Sequence, residues 1–342
     1  MSTKRRSHPL KTVKHYRRRD PAGGLFRIER DDCMDMAVLL SNLIGLFLLI
    51  GVGFFAVRAG LLPAEASKPL SALLMKITVP ATIITSMLRP FDPNFMKLGM
   101  SIILVGTVMF PLFGALSLVL SRLLRVPDGR RGMWCCCATF CNNGFMGFPV
   151  ALALFGEEGL ALTVMLSIPF NFLMYSLGTK MVCMDRTGEA KPLSWGRAVL
   201  NVVNLSMAVG LALYITQLQL PQAVLTPLNY LADATTPLSM IVTGINLSQG
   251  RASDVLRDRD ALTASAMRLL AFPLLAWAVM RLAPGLNSLV LGAALINLAM
   301  PAPAATTFLG EEYGGCTQLA ARSVFLSSLL SLATIPLISL LL

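Results

Sequence analysis

Two stretches of this chain carry the same polar and helix-breaking residues in the same order. The first is Cys141-Asn142-Asn143-Gly144-Phe145-Met146-Gly147-Phe148-Pro149, followed by Gly156-Glu157-Glu158. The second is Asn297-Leu298-Ala299-Met300-Pro301-Ala302-Pro303, followed by Gly310-Glu311-Glu312. Asn143 aligns with Asn297, Met146 with Met300, Pro149 with Pro303, and the Gly-Glu-Glu triplets with each other, all at one offset of 154 residues. Proline removes a backbone donor and clashes with the preceding turn, so each stretch interrupts the apolar helix around it. Interrupted helices expose half-helix N-termini, which attract anions, and carbonyls, which attract cations. Asn142, Asn143, Asn297 and Thr306 add neutral donors and acceptors suited to a carboxylate. The chemistry on offer is non-covalent binding.

Other residues bear on the same chemistry. Lys76 and Asp233 each precede a proline (Pro80, Pro237) by four residues. Charges inside apolar runs are costly and pair or function there, so a Lys76–Asp233 ion pair is one expectation; the alternative is that both snorkel to an interface. Glu157, Glu158, Glu311 and Glu312 read as loop carboxylates near helix N-termini, with cation or proton coupling as the rival reading. Arg268 and Arg322 lie in or near apolar runs, where holding an anion and snorkelling are both open. Cys135, Cys136, Cys137 and Cys141 lack a neighbouring His or acid and read as small packing residues, not a metal cluster. His8 and His15 are the only histidines. Walker A, GxGxxG, GxSxG and HExxH patterns are absent, so no catalytic residue, cofactor or metal is expected and the chain does not read as an enzyme.

The elements that position these residues are membrane helices. Of 342 residues, 55% are hydrophobic and 14% charged, against about 25% charged in soluble domains. Mean hydropathy is +0.68. Apolar blocks of about 20 residues separated by polar punctuation are the pattern of spanning helices, not of barrel strands. Spans are expected at about 36–58, 66–88, 97–121, 131–155, 160–183, 196–217, 222–247, 260–282, 288–309 and 316–342. The net charge of +11 sits largely in the first 30 residues and short loops, where it reports orientation and not nucleic-acid binding. Arg122, Arg125, Arg130 and Arg131, then Lys180, Arg186, Lys191 and Arg197, then Arg251, Arg257 and Arg259 mark alternate loops as cytoplasmic. Both termini then lie outside. The ten Lys and Arg residues before Met36 oppose that orientation, which suggests a native start near Met36 and a disordered basic tail over 1–35.

Ten spans in two copies give five per copy, and an odd number makes the copies inverted. The expected organisation is a first repeat over 36–183, a cytoplasmic linker over 184–195 and a second repeat over 196–342. Phe110-Pro111-Leu112 and Phe272-Pro273-Leu274 echo each other at matching places in the two halves. Duplicated interrupted spans point to a carrier's binding site.

With these residues in view, the chain from Met36 to Leu342 resembles the auxin efflux carrier family, which includes plant auxin exporters and bacterial malate permease-like proteins. The resemblance rests on Lys76-Ile77-Thr78-Val79-Pro80, Asn142 to Pro149, Thr236-Pro237-Leu238 with Gly244, Met300-Pro301, and Thr334-Ile335-Pro336-Leu337. It implies an all-α membrane fold of two inverted five-helix repeats with crossed broken helices, similar to sodium–proton antiporters and bile-acid symporters. It implies a scaffold of spans 1, 2, 6 and 7 and a transport domain of spans 3–5 and 8–10 that moves as an elevator. It implies a small organic anion as substrate, held near Asn142, Asn143, Gly144, Pro149, Asn297, Met300, Pro301, Pro303 and Thr306. The second break departs from the family pattern in its extra proline. A plasma-membrane location, multi-pass (the inner membrane in a Gram-negative cell), lipid contact and a homodimer fit this class. A sodium-coupled symporter of similar fold is the nearest alternative; an intramembrane enzyme or a sensor is the alternative from another class.

Overall fold

The computed structural model describes residues 36–185, 202–249 and 255–342. The basic tail, most of the 184–195 linker and the Arg251 loop lie outside the described residues. Every regular element among them is helical. In chain order these are α1 (Met36–Arg58), α2 (Ala64–Met87), α3 (Pro93–Leu123), α4a (Arg131–Thr139), α4b (143–155) and α5 (157–183). After the linker come α6 (Val202–Thr216), α7 (Gln222–Gln249), α8 (Arg259–Leu282), α9a (Ser288–Leu298), α9b (Ala305–Tyr313) and α10 (Thr317–Ser339). Five helical stretches among the described residues are long and apolar enough to cross a membrane: α2, α3, the run Arg131–Cys183, α8 and α10. Shorter apolar helices occupy Ile44–Arg58, α6 and α9a. This is a membrane-embedded, all-helical protein.

Local signals set the ends. Asp92 caps α3, its carboxylate accepting from Asn94 N at 2.8 Å, with Pro93 in the first turn where no donor is needed. Asn287 caps α9a through Leu289 N at 2.8 Å. Gly156, at φ 62°, ψ −159°, turns the chain sharply between α4b and α5, a conformation that glycine adopts without strain. Inside the helices, hydroxyls such as Ser117, Thr179 and Ser327 donate to carbonyls three or four residues back, so they need no water.

Three prolines share one device. Pro80, Pro149 and Pro273 each sit two residues beyond a five-residue π-helical turn: Leu74–Thr78, Asn143–Gly147 and Met267–Ala271. The wider turn accommodates the missing donor without breaking the rod. This corrects one expectation. The chain around Gly144 and Gly147 is wound, and the first break lies earlier, at 140–142. The second break, over 299–304, does contain Pro301 and Pro303.

Helices pack closely where small residues allow. A Cβ on Gly53 would run into the Ile241 carbonyl, and one on Gly244 into the Ile50 carbonyl, so α1 and α7 touch backbone to backbone. α2 packs on α6 and α7, and Thr82 Oγ1 donates to Thr235 Oγ1 at 2.8 Å. α3 lies along α5, and α4a is enclosed by α3, α5, α8 and α10. The Phe113 and Phe272 rings stack at 4.7 Å, joining α3 to α8. The deepest core is the pair of first halves, since Met133 to Cys141 and Val290 to Met300 are buried throughout.

One end of this bundle is stapled by charge. The buried Asp258 carboxylate accepts from Arg130 (2.8 and 2.7 Å) and from Arg322 (2.7 Å), and caps α8 through Asp260 N and Ala261 N. Burial pushes this carboxyl up, but the hydrogen bonds from Arg322 and Arg130 outweigh it and hold Asp258 below its ordinary value. Asp185 accepts from Gly132 N at 2.6 Å and Met133 N at 2.7 Å, capping α4a. There burial dominates, and the Asp185 carboxyl is pushed up despite the two amides.

Candidate functional site

The two breaks meet. Asn142 N donates to the Pro301 carbonyl at 2.7 Å, a backbone bond between the interruptions. Asn297 Nδ2 donates to Asn143 Oδ1 at 2.5 Å, and Asn143 Nδ2 donates to Ser167 Oγ on α5. Cys141 Sγ lies 3.5 Å from Asn297 Oδ1. Asn142 Oδ1 accepts from Phe145 N at 3.2 Å, capping the turn that opens α4b. The duplicated asparagines therefore touch each other. Buried amides are costly unless bonded, and here each finds its partner in the other copy of the motif.

A cavity of about 500 Å³ lies against this junction. Its polar side is Asn142, Asn143, Gly144, Ser167 and Asn171, with Pro303, Ala304 and Ala305 bringing the start of α9b to its wall. Its apolar side includes Met75, Val79, Phe145, Phe148, Phe170 and Met174, and the exposed Lys68 stands at its edge. No acidic residue lines it among the described residues. Both second-half helices, α4b and α9b, thus begin at the cavity, which presents amide-rich, partially positive ends to whatever enters. A second cavity, of about 680 Å³, lies on the other side of Phe148 and is lined by Thr82, Ser86, Arg89, Glu157, Asp233 and Thr236 among others. Phe148 borders both, so its ring is part of the partition.

Of the residues singled out in the sequence, Asn142, Asn143, Gly144 and Pro303 line the first cavity. Asn297 stands behind Asn143 and fixes it. Met300 and Pro301 are buried in the second break, Thr306 is buried in the first turn of α9b, where its Oγ1 donates to Pro303 O at 2.7 Å, and Pro149 is buried in α4b just after its π turn. The Lys76–Asp233 pair is not formed. Both side chains are exposed and no ion pair joins them. Glu158 pairs with Arg89 at 3.2 Å near the start of α5; Glu311 and Glu312 fall in the last turn of α9b, and their side chains lie outside the described residues.

Sequence reasoning missed Ser167 and Asn171, although two polar residues four apart in an apolar run mark one helix face. It also left Arg268 undecided. The Arg268 guanidinium does not snorkel: it is wholly buried and donates to Ala138 O (3.3 Å), to Thr139 O (2.6 Å) and to Leu298 O.

Interrupted helices that meet at a polar junction, in a chain this apolar, are an arrangement of membrane transport proteins. The model of the family described as membrane transport protein matches residues 38–339, and the chain belongs to that family, the auxin efflux carriers of the sequence resemblance. It is 29% identical over 299 residues (85% of this chain, 94% of the relative) to a protein named an uncharacterized transporter from Methanocaldococcus jannaschii. It is 26% identical over 302 residues (87% and 96%) to another so named from Methanothermobacter thermautotrophicus. It is 22% identical over 307 residues (88% and 94%) to a Rhizobium meliloti protein named "Putative malonate transporter". These are transporters, not enzymes.

Proposed function

We propose that this chain is a secondary carrier for a small organic carboxylate, working by alternating access and without covalent chemistry. The observation that carries the reading is the Asn142–Pro301 and Asn143–Asn297 junction at the wall of an acid-free cavity, with two helix N-termini beginning there. The carboxylate would sit against Asn142, Asn143 and the start of α9b, with its carbon body among Phe145, Phe148 and Phe170. Lys68 at the edge adds attraction for the incoming anion.

The wider organisation belongs to the same proposal: ten spans in two inverted repeats, α1, α2, α6 and α7 as scaffold, and the remaining helices as the moving unit. Close backbone contact within the first group (Gly53, Gly244) and the Arg130–Asp258–Arg322 staple within the second support it. The first cavity lies toward the stapled end, which also carries Arg122, Arg125 and Arg131. The positive-inside rule makes that end cytoplasmic, so the conformation described would face the cytoplasm, with both termini of the helical region outside. The second cavity would be the part of the route on the other side of Phe148.

Malonate, the substrate in one relative's name, is the first ligand to test. A thermal-stability screen of purified protein against mono- and dicarboxylates, repeated with Asn143→Ala, should show stabilisation by at least one carboxylate that the variant loses. Equal stabilisation of both proteins removes Asn143 from the site, and no stabilisation by any carboxylate removes the substrate class.

A further inference from the structure

The crossing has two electrical sides. The N-termini of α4b and α9b begin at the cavity, whereas the C-termini of α4a and α9a end together behind it. Each helix C-terminus carries about half a negative charge on its unpaired carbonyls. Two such ends buried side by side need a cation, and in carriers built from broken helices, freed carbonyls and half-helix C-terminal ends are where a coupling Na⁺ or H⁺ is held.

Here that position is filled by the protein itself. Arg268 donates through Nη1 to the Ala138 and Thr139 carbonyls at the end of α4a, and through Nη2 to the Leu298 carbonyl at the end of α9a. The side chain has no exposed surface, and no carboxylate pairs with it among the described residues. Its Cζ lies 5.7 Å from the centre of the Phe113 ring, and that ring stacks on Phe272. Its Nε has no hydrogen-bond partner. The negative partners of this guanidinium are therefore the two helix ends.

We propose that Arg268 is a resident cation that takes the place of an inorganic coupling ion at the crossing, so that ligand binding here is independent of Na⁺ and other monovalent cations. This goes beyond the carboxylate-carrier reading and rests on it only for the identity of the ligand whose binding is cation-independent. Arg268 is a positioning residue: it fixes the first halves so that the second halves aim their N-termini at the cavity. Lysine would keep the charge and lose the two-ended grip; alanine would leave two helix ends facing each other around a hole that a small cation can enter.

The test measures thermal midpoints of the purified full chain, without carboxylate, in sodium, potassium or choline chloride at equal ionic strength. Guanidinium chloride, far below denaturing concentration, serves as a further probe. The wild type should melt within about 1 °C in all three salts. Arg268→Ala should melt lower and recover by about 2–4 °C or more when sodium or guanidinium replaces choline, by linkage of cation binding to folding. Arg268→Lys should show no such recovery. A sodium-specific rise in the wild type, or an Arg268→Ala protein that no cation stabilises beyond choline, overturns the proposal. If Arg268→Ala does not fold, Arg268→Gln keeps an amide donor and loses the charge, and the same two criteria apply. Malonate-induced shifts in sodium against choline complete the set: a sodium-dependent shift in the wild type also overturns it. Because the midpoints need no carboxylate, their failure leaves the substrate reading standing, while absence of any carboxylate shift would sink that reading alone.

Discussion

Replacing Gly147 by alanine tests the crossing directly. An ideal Cβ at Gly147 would lie 2.5 Å from Asn297 Nδ2, and 3.4 Å from both Asn142 O and Asn143 Oδ1. Asn297 cannot step aside freely, because its amide is held by Asn143 Oδ1 at 2.5 Å and the residue is 1% exposed. Overpacking of this kind costs about 1–3 kcal/mol, and a buried amide forced off its partner costs a further ~1–3 kcal/mol. A combined loss of about 2–6 kcal/mol, at roughly 2 °C per kcal/mol for a chain this long, lowers the thermal midpoint by about 4–12 °C. Gly144→Ala is the internal control. It lies three residues earlier in the same turn, and its added Cβ meets nothing within 4 Å, so its midpoint should stay within about 1 °C. The assay is fluorescence-detected melting of both variants in one detergent, followed by carboxylate titration of each. If Gly147→Ala melts with the wild type, or if the two variants fall together, the Asn143–Asn297 contact does not join the breaks.

Phe148→Ala removes the ring between the two cavities at a cost of about 3–5 kcal/mol; in proteoliposomes the expected result is a non-saturating carboxylate leak, and unchanged saturable flux would show that the ring is no partition. Asp258, its carboxyl held down by Arg322 and Arg130 against burial, contributes stability above its unfolded pKa that is lost as pH falls through its lower folded value. Melting should therefore be level above about pH 5 and drop below about pH 4. Asp185, pushed up by burial, has the opposite sign, so the acid drop is the part that Asp258→Asn should abolish; a drop of equal size in that variant refutes the assignment. Thr82→Val and Thr235→Val each leave one buried hydroxyl without the other, at about 1 kcal/mol apiece; the double variant should be milder than the sum of the singles, and strict additivity would mean that the 2.8 Å bond contributes nothing.

Much of this was legible in the sequence. The helices follow the apolar blocks, and the Asn143–Asn297 contact joins the very residues that align at an offset of 154. The aligned residues meet because the two interruptions lie against each other, with Asn142 N on the Pro301 carbonyl. The break itself was misplaced. Proline and glycine mark where a helix is free to end, but a π turn ahead of Pro149 absorbs the missing donor, and the interruption moves to 140–142. Nothing in Leu74–Thr78 or Met267–Ala271 announces such a turn except the proline two residues on. Of the two readings of Lys76 and Asp233, the ion pair is not formed: both side chains are exposed, and a shared spacing to proline says nothing about proximity. Ser167 and Arg268 join the junction from other helices, and a contact between distant helices leaves no local pattern in one sequence.

The arrangement also explains why a chain with so few buried charges keeps Arg268. An anion site made from helix N-termini necessarily creates C-termini, because every break that points one end toward the substrate leaves a preceding end pointing elsewhere. In water those carbonyls would be solvated; at the crossing they are sealed behind Met133 to Cys141 and Val290 to Met300. A neutral donor would satisfy one carbonyl and leave the summed charge of two dipoles uncompensated. A guanidinium reaches both ends at once, keeps its charge under all ordinary conditions, and spreads it over a plane that lies near the Phe113 ring. The partially positive face toward the cavity and the buried cation behind it are two consequences of the same pair of interruptions, which is why loss of Arg268 should disturb the geometry of Asn143 although Arg268 itself does not line the cavity.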